Sequence, residues 1–347
     1  MPKRFLITGG AGFIGFHFIE TLRDLPVEIL VIDKCTYAAH PMAIQHLTEN
    51  NILIRGDVSD QDFVEKTIRT FRPNTIVHFA AESHVDRSIL SPTEFLTTNF
   101  LGTHALLQAS LSYYNENRSE DFLFVQISTD EVYGPLGDHG QFNETSPLNP
   151  SSPYSASKAA ADHLVRAYHT TYNLPVMITR CSNNYGPRQF PEKLIPLMIS
   201  RALENLPLPL YGHGGHVREW IFVKDHCEGI LSAIERGRVG EVYHLGGGVE
   251  RKNIDVVCAI LEMLGKPKSL ITFVEDRKGH DFRYALDNSK AEKELGWRPR
   301  RTFEEGLEET LKWYLDEHRR RIHEKAEGNS SRRWVREEAP SDYKSDE

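Results

Sequence analysis

Residues 4–15 read RFLITGGAGFIG, an apolar run followed by three glycines spaced three apart, Gly9, Gly12 and Gly15. The apolar part is typical of a buried strand, and the segment beyond Gly12 has helical spacing. In a strand–turn–helix of this kind, Gly9 and Gly12 permit a tight turn and the close approach of a pyrophosphate, and Gly15 permits close packing of helix on strand. The stretch predicts that the chain opens with a dinucleotide-binding βαβ unit.

The first half of the chain repeats this alternation of apolar runs and helical segments. The apolar runs lack a polar face, as expected of parallel strands that are covered by helices on both sides. The pattern predicts an α/β fold with a doubly wound parallel-sheet Rossmann domain and a smaller, interleaved mixed α/β substrate domain. Predicted strands are 4–8, 28–32, 52–55, 75–79, 122–127 and 176–180, and predicted helices are 15–25, 61–71, 99–114 and 154–172.

From about residue 186 the pattern changes to Pro- and Gly-rich loops with shorter elements. A strand is predicted at 220–223, and helices at 225–235, 253–264 and 302–315. We expect an NAD-binding Rossmann domain at 1–185 with a returning segment near 217–245, and an interleaved substrate-binding domain at 186–315. Residues 316–347 are dense in charge of both signs and are predicted to form a solvated, mobile tail.

Composition limits the partners and the compartment. The 347-residue chain has a net charge of -8, which argues against general affinity for nucleic acid or anionic membranes. No apolar run approaches the length of a membrane span. Four cysteines are widely spaced without a paired motif, which fits a reducing compartment. We therefore expect a cytoplasmic protein without nucleic-acid or membrane partners.

Cofactor choice is predicted from the end of the second strand. Asp33 lies about twenty residues past the glycines, where a carboxylate accepts hydrogen bonds from both adenosine ribose hydroxyls and repels a 2′-phosphate, which favours NAD. Lys34 follows Asp33 directly, and a cation at this position could tolerate the 2′-phosphate of NADP. Asp57 is expected at the adenine, although it could equally cap the helix that begins near residue 61. Further predicted cofactor contacts are Phe13, Ile14, Thr36, Val58, Phe79, Ala80, Ala81 and Thr98.

A Tyr and a Lys share one face of a predicted helix. Tyr154 and Lys158 are four residues apart, with Ser152 as the expected N-cap and Pro153 as the first helical residue. We expect the ammonium and the helix N-terminus to lower the pKa of the Tyr154 phenol, so that it acts as a base near neutral pH. The same Lys158 can hold the nicotinamide ribose.

Two adjacent carboxyl groups, Asp130 and Glu131, follow the strand predicted at 122–127, next to Thr129. Nearby like charges disfavour simultaneous ionisation, so one carboxyl can be a protonated acid while the other is a base. The alternative is a capping pair for the turn at 132–134. The first possibility predicts an elimination, and the second predicts no chemistry.

Several runs resemble those of the dTDP-glucose 4,6-dehydratase family, extended short-chain dehydrogenases/reductases that act on nucleotide sugars. The spacing of Gly9, Gly12 and Gly15 is the variant typical of these enzymes, and the resemblance covers roughly residues 3 to 315. The runs are AAESHVD at 80–86, STDEVYG at 128–134, PYSASK at 153–158, SNNYGP at 182–187, FPEKLIP at 190–196 and DRKGHD at 276–281.

The resemblance implies a hydro-lyase reaction in three steps. Tyr154, helped by Thr129, removes the proton of the sugar 4-hydroxyl while C4 delivers hydride to NAD. Glu131 then removes the C5 proton while protonated Asp130 donates to the departing 6-hydroxyl, and water leaves. The hydride returns to C6 and a proton to C5, which gives the 4-keto-6-deoxy sugar. dTDP-glucose is the favoured substrate in this interpretation.

The resemblance also implies the substrate contacts and the assembly. The second domain would bind a nucleotide-diphosphate sugar, with arginines as the clamp for the diphosphate. A homodimer is implied in which residues 99–114 and 154–172 form a four-helix bundle across a two-fold axis. Asn184 is assigned to the nicotinamide end of the cofactor. Residues assigned to the substrate are Ser83, Asn183, Lys193, Leu194, Tyr211, Arg218, Asn253, Arg277 and His280.

Two other functions share parts of this pattern. A nucleotide-sugar 4-epimerase uses the same hydride step without elimination, and the Asp130–Glu131 pair argues against it. A non-catalytic NAD-binding regulator would need none of the acid–base groups. His213 and His216 form an HxxH motif, but nothing adjacent completes a ligand set, and no metal is expected.

Overall fold

The structure is a computed structural model that describes residues 2–326. Twelve strands are present in this part of the chain, and seven of them form the central sheet. They are β1 (Lys3–Thr8), β2 (Val27–Asp33), β3 (Leu53–Arg55), β4 (Thr75–His78), β5 (Leu123–Thr129), β6 (Val176–Cys181), β7 (Asn183–Tyr185), β8 (Leu208–Tyr211), β9 (Val217–Phe222), β10 (Val242–Leu245), β11 (Glu250–Lys252) and β12 (Ile271–Val274).

Helices alternate with these strands along the chain. A π-helical segment, Leu96–Leu101, precedes the sixth helix, and short 3₁₀ turns occur at Asp130–Tyr133 and Lys268–Leu270. The α-helices are α1 (Phe13–Leu22), α2 (Pro41–Glu49), α3 (Gln61–Phe71), α4 (Val85–Leu90), α5 (Pro92–Phe95), α6 (Gly102–Asn117), α7 (Pro153–Tyr172), α8 (Leu194–Leu203), α9 (Val223–Arg236), α10 (Asn253–Met263), α11 (Ser289–Leu295) and α12 (Phe303–Ala326).

The central sheet confirms the doubly wound fold. Its strand order is β10-β6-β5-β4-β1-β2-β3, and every pairing in it is parallel. Alternate side chains of β1 enter different cores: Phe5 and Ile7 pack on one face with α1, and Leu6 packs on the other with α6. Each of the six strands predicted in the first half is present, with shifts of one or two residues at the ends.

Two smaller sheets lie beside the central one. β9 pairs with β7 in parallel and with β11 in antiparallel orientation, and β8 pairs with β12. A third apolar core covers them with side chains from α8, α10 and α12. Of the returning segment expected near 217–245, β10 therefore joins the central sheet, whereas β9 belongs to a smaller sheet.

The last helix is longer than the sequence predicted. α12 continues to Ala326, past the predicted end at 315, so the predicted tail is helical in its first part. Leu311 and Tyr314 remain buried in the third core, and Glu317 pairs with Arg320 and Arg321 one turn further on. The rest of the predicted tail, residues 327–347, lies outside the described residues.

Neither disulfides nor membrane helices are found in the described part of the chain. Cys35, Cys181, Cys227 and Cys258 are all free thiols. Within residues 2–326, no helix combines the length and the apolar character that a membrane crossing requires.

Candidate active site

The candidate site lies where the strand order of the central sheet reverses, between β1 and β4. Gly9 follows β1 with φ +74°, and a Cβ there would lie 2.6 Å from the backbone nitrogen of Ala80. A Cβ on Gly15 would lie 2.4 Å from the Gly9 carbonyl oxygen. Only glycine fits these two positions, so the turn, α1 and the end of β4 can meet closely.

The N-terminus of α1 fits a pyrophosphate. Gly12 is its N-cap and no side chain caps it, so the first N–H groups of the helix are not satisfied by a capping side chain. Phe13 and Ile14 are the first helical residues, and Phe79, Ala80 and Ala81 follow β4 across the crevice. These elements can hold the centre of a dinucleotide.

Asp33, which the sequence predicts at the adenosine ribose, is the last residue of β2. Its carboxylate accepts hydrogen bonds from the backbone N–H of Ala11 at 2.9 Å and of Cys35 at 2.7 Å. Burial raises the pKa of Asp33, and these two bonds oppose that shift. The Lys34 ammonium lies 2.7 Å from Asp57 Oδ2, so the cation that could have favoured a 2′-phosphate is paired with a carboxylate.

The alternative role considered for Asp57 is wrong. Asp60 is the N-cap of α3 and accepts the N–H of Phe63, whereas Asp57 accepts hydrogen bonds from Ser59 and pairs with Lys34. Three other predicted cofactor residues lie elsewhere around the crevice: Thr36 follows β2, Val58 follows β3, and Thr98 lies in the π-helical segment.

The acid pair follows β5 directly. The Thr129 hydroxyl accepts the N–H of Glu131 at 3.3 Å and donates to Asp130 Oδ1 at 3.2 Å. Thr129 therefore caps the 3₁₀ turn, and the interpretation of Asp130 and Glu131 as its capping pair is wrong. Both carboxyl groups remain available for other contacts.

The surroundings of the two carboxyl groups affect their pKa values differently. Burial, and next the negative charge of Glu131, raise the pKa of Asp130 well above its usual range. Burial also raises the pKa of Glu131, but the cations of Arg277, Lys193 and Arg218 oppose that shift. The arrangement favours the proton on Asp130 over a proton on Glu131, which is the order that an acid beside a base requires.

Tyr154 and Lys158 lie on the first turns of α7. Ser152 is the N-cap and forms a reciprocal capping box with Ser155, as the sequence predicted for the start of this helix. Tyr154 is buried and its ring contacts Phe95 edge-on. The Lys158 ammonium donates to the carbonyl oxygen of Ile127 at 2.7 Å, which ties α7 to the end of β5.

The predicted lowering of the Tyr154 pKa is wrong for this structure. Burial raises the pKa of Tyr154 well above 10, the nearby acidic groups Glu131, Cys181 and Asp130 add to the rise, and a hydrogen bond with Thr129 opposes it. Burial also lowers the pKa of Lys158. Desolvation of the buried phenol therefore has a larger effect on the Tyr154 pKa than the local Tyr–Lys motif.

The residues assigned to the substrate lie outside the central sheet, on β7, β8 and β9, at the starts of α8 and α10, and in the loops after β4 and β12. Arg218 is buried, and its guanidinium donates to the carbonyl oxygens of Val217, Asp281 and Phe282. These bonds hold it in one orientation. Its charge still reaches the acid pair, because it opposes the raised pKa values of Asp130 and Glu131.

Asp86 links two other predicted substrate residues and was not itself predicted. Arg277 Nη1 lies 3.4 Å from Asp86 Oδ1, and the Tyr211 hydroxyl donates to Asp86 Oδ2 at 3.3 Å. Asp86 ends the run at 80–86, so its place in that run was the only sequence signal. It joins the loop after β4 to the second half of the chain.

Other predicted site residues lie at the start of α8, on β7 and at the start of α10. The Lys193 ammonium donates to the Ser83 carbonyl oxygen at 2.5 Å, immediately before Leu194 begins α8. Asn183 and Asn184 lie on β7, and the Asn184 side-chain oxygen is 2.9 Å from His226 Nδ1. Asn253 begins α10, and its side-chain oxygen is buried without a hydrogen-bond partner among the described residues.

Comparison with known proteins identifies the family. Residues 6–310 match the family model described as GDP-mannose 4,6 dehydratase. A dTDP-glucose 4,6-dehydratase of Xanthomonas campestris pv. campestris (strain B100) is 51% identical over 324 residues, 89% of this chain and 92% of that protein. The chain belongs to the dTDP-glucose 4,6-dehydratase family. A member from Neisseria gonorrhoeae is 49% identical over 340 residues, 92% of this chain and 97% of that protein.

Solved structures place this dTDP-glucose 4,6-dehydratase family member among NAD-bound relatives. DesIV, a dTDP-glucose 4,6-dehydratase of Streptomyces venezuelae solved with NAD and TYD bound, is 47% identical with a TM-score of 0.83, and the match covers 90% of this chain and 97% of DesIV. A UDP-glucose 4-epimerase of Thermus thermophilus in complex with NAD has the same TM-score at 32% identity, over 90% and 99% of the two chains. Fold alone therefore does not separate dehydratase from epimerase.

Proposed function

We propose that the protein is a hydro-lyase that converts dTDP-glucose to its 4-keto-6-deoxy derivative with NAD as cofactor. The observation that carries the proposal is the acid pair, a buried Asp130 beside Glu131 at the end of β5. An epimerase needs no such pair. Two dTDP-glucose 4,6-dehydratases that are 51% and 49% identical match about nine tenths of this chain.

Each proton transfer has a residue of this chain to perform it. Tyr154 accepts the proton of the sugar 4-hydroxyl, with Thr129 hydrogen-bonded to the phenol. When bound, NAD would accept the hydride from C4, return it later to C6 and add a positive charge to the crevice. Because burial and acidic neighbours raise the Tyr154 pKa, the phenol alone is a poor base at neutral pH. Tyr154 therefore depends on a cation that enters with the cofactor.

Elimination uses the separated carboxyl groups. Oxidation at C4 acidifies the C5 hydrogen, Glu131 takes that proton, and neutral Asp130 gives its own proton to the departing 6-hydroxyl as water. Asp130 and Glu131 are consecutive residues at the start of the 3₁₀ turn, and Thr129 holds that turn through hydrogen bonds with both residues. Elimination therefore leaves Asp130 ionised, because its proton departs in the water, and leaves Glu131 protonated by the proton taken from C5. Glu131 then returns a proton to C5.

The proposal also covers the domain assignment, the residues that bind the diphosphate and the cellular location. We assign residues 1–185 with β10 to the NAD-binding domain and the rest of 186–315 to the nucleotide sugar, whose diphosphate Arg218, Arg277 and His280 would bind. A cytoplasmic location is consistent with four free thiols. Isolation of the protein from a periplasmic or secreted fraction would contradict that location.

A homodimer built from α6 and α7 completes the proposal. The Tyr168 hydroxyl donates to the Gln108 side chain, so the two helices lie side by side as half of a four-helix bundle requires. Leu101 and Tyr172 near these helices are about half exposed in the single chain. Light scattering during gel filtration should give twice the monomer mass, and a monomer at working concentration would contradict the assembly.

The activity is tested with two nucleotide sugars. The purified protein is incubated separately with dTDP-glucose and UDP-glucose, and the products are analysed by mass spectrometry and alkali-induced absorbance of the keto sugar. Loss of one water from dTDP-glucose is the expected result. An unchanged mass with conversion to the galactose configuration would favour the epimerase, and no change in either sugar would favour a non-catalytic NAD-binding protein.

A further inference from the structure

Two imidazoles and a carboxylate meet outside the catalytic residues. His216 lies just before β9, and Asp276 and His280 lie in the loop after β12. His216 Nε2 is 3.2 Å from Asp276 Oδ2, and His280 Nδ1 is 2.6 Å from Asp276 Oδ1. The two rings stack with centroids 3.6 Å apart and planes inclined by 18°. One carboxylate thus faces two parallel imidazoles.

We propose that His216, Asp276 and His280 form a binding site for a divalent transition-metal ion of the zinc class. Each side chain offers one ligand atom, and these atoms lie within 4.8 Å of one another. Tetrahedral zinc with imidazole and carboxylate ligands requires ligand atoms roughly 3.3 Å apart. Imidazole binds a metal in its ring plane, so the two stacked rings must tilt for both nitrogens to face one ion. Two nitrogens and one oxygen suit zinc or cobalt better than magnesium or calcium, and three protein ligands leave one position for water.

Burial favours the neutral form of both imidazoles, in which each ring has one nitrogen without a proton. Metal ligands must be free of protons, and burial lowers the pKa of His280 to about 3 and lowers that of His216. Both imidazole side chains are shielded from solvent, whereas the Asp276 side chain is 42% exposed, which gives an ion a path into the site. Arg218 and Arg277 lie close enough to lower both pKa values, and their charge weakens binding relative to a closed structural zinc site.

This set differs from the HxxH motif in the sequence. His213 is exposed and its ring lies over its own loop, where a Cβ on Gly215 would be 2.4 Å from His213 Nε2. The partners of His216 are instead Asp276 and His280, from a loop that is distant in the sequence. His213 is therefore a matched control, an imidazole in the same motif that is not part of the proposed site.

A consequence for turnover rests on the proposed function. His280 and Arg277, next to Asp276, are among the residues proposed to bind the diphosphate. An ion held by His216, Asp276 and His280 occupies the His280 imidazole, so the ion and the nucleotide compete for it. Zinc is then a reversible inhibitor, competitive with dTDP-glucose.

Binding is measured without substrate, so the test of the site does not depend on activity. The full-length protein is stripped with a chelator and titrated with Zn²⁺ by calorimetry and with Co²⁺ by visible absorption. Wild type and His213→Gln should bind one equivalent, and His216→Gln and Asp276→Asn should bind at least about ten-fold more weakly. Equal affinity in wild type and both site variants, or no binding by wild type, would overturn the proposal.

Two further measurements keep the outcomes distinct. Thermal unfolding with chelator present shows whether His216→Gln is folded, and the exposed Asp276 gives a second variant if it is not. In the activity assay, His216→Gln should keep its metal-free turnover and resist zinc at concentrations that inhibit wild type and His213→Gln. Zinc binding without any turnover of dTDP-glucose would count against the proposed function and leave the metal site standing.

Discussion

The catalytic edge, defined as the proposed catalytic residues 129–131, 154 and 158, is held in place by different means from the outer loops, defined as residues 211–218 and 276–283 with the strand ends that they include. At the catalytic edge, the ends of β5 and α7 fix the side chains through short contacts such as Lys158 to the Ile127 carbonyl. In the outer loops, partly exposed ion pairs join segments that are distant in sequence, as between Arg277 and Asp86.

The difference separates two requirements of the reaction. Proton transfer needs fixed positions and buried groups whose pKa values diverge, as for Asp130 and Glu131. A nucleotide must enter and leave, and Arg277, which is proposed to bind it, accordingly lies on a loop and is held by a partly exposed ion pair that is individually weak. Below the catalytic edge, Arg180 pairs with Asp162 and donates to the Tyr133 hydroxyl, all fully or almost fully buried.

The largest effect is expected from Glu131→Gln at the catalytic edge. Loss of the base should reduce water elimination by about 10²–10⁴-fold while the first oxidation continues, because the amide cannot accept the C5 proton. Reduced nicotinamide should then accumulate on addition of dTDP-glucose, measured by absorbance, while mass spectrometry shows no dehydrated sugar. Glu262→Gln, on the exposed side of α10, is the control. Equal loss of both steps would remove Glu131 as the base.

A second effect concerns stability and compares the two regions directly. Arg180→Met leaves the buried Asp162 without its cation and should lower the free energy of unfolding by about 3–5 kcal/mol. Arg277→Met breaks the partly exposed pair with Asp86 and should cost only about 0–1 kcal/mol, because solvent screens that pair. Urea denaturation of both variants measures the difference. Similar losses would show that the outer loops are as firmly fixed as the catalytic edge.

The smallest effect is a pH shift that links the two regions. The Arg277 cation opposes the burial that raises the pKa of Glu131, so Arg277→Gln should raise this pKa further. The base form of Glu131 is then lost at a higher pH, and the acidic limb of the kcat/KM profile should move upward. Lys278→Gln, an exposed neighbouring cation, should leave the limb in place. Superimposable acidic limbs for Arg277→Gln and wild type would show that the outer loops do not tune the base.

Much of the fold and part of the site were predictable because short-range patterns govern them. The glycine spacing and the apolar runs predicted the central sheet, and Ser152 and Pro153 predicted the start of α7. The end of α12 was missed because the residues after 315 are mostly charged and resemble a solvated tail. In the structure they continue the helix, with Glu317 paired to Arg320 and Arg321. Asp57 was misjudged as a possible cap because its partner, Lys34, lies on another loop.

The sequence by itself determined the doubly wound sheet, the dinucleotide turn and the identity of the residues at the catalytic edge, because each depends on neighbours within a few positions. Only the tertiary structure decided that the Tyr154 pKa rises, that Thr129 caps the acid turn, and that Asp276 and His280 meet His216. Desolvation and contacts between distant loops depend on how the whole chain packs, and no local motif contains that information.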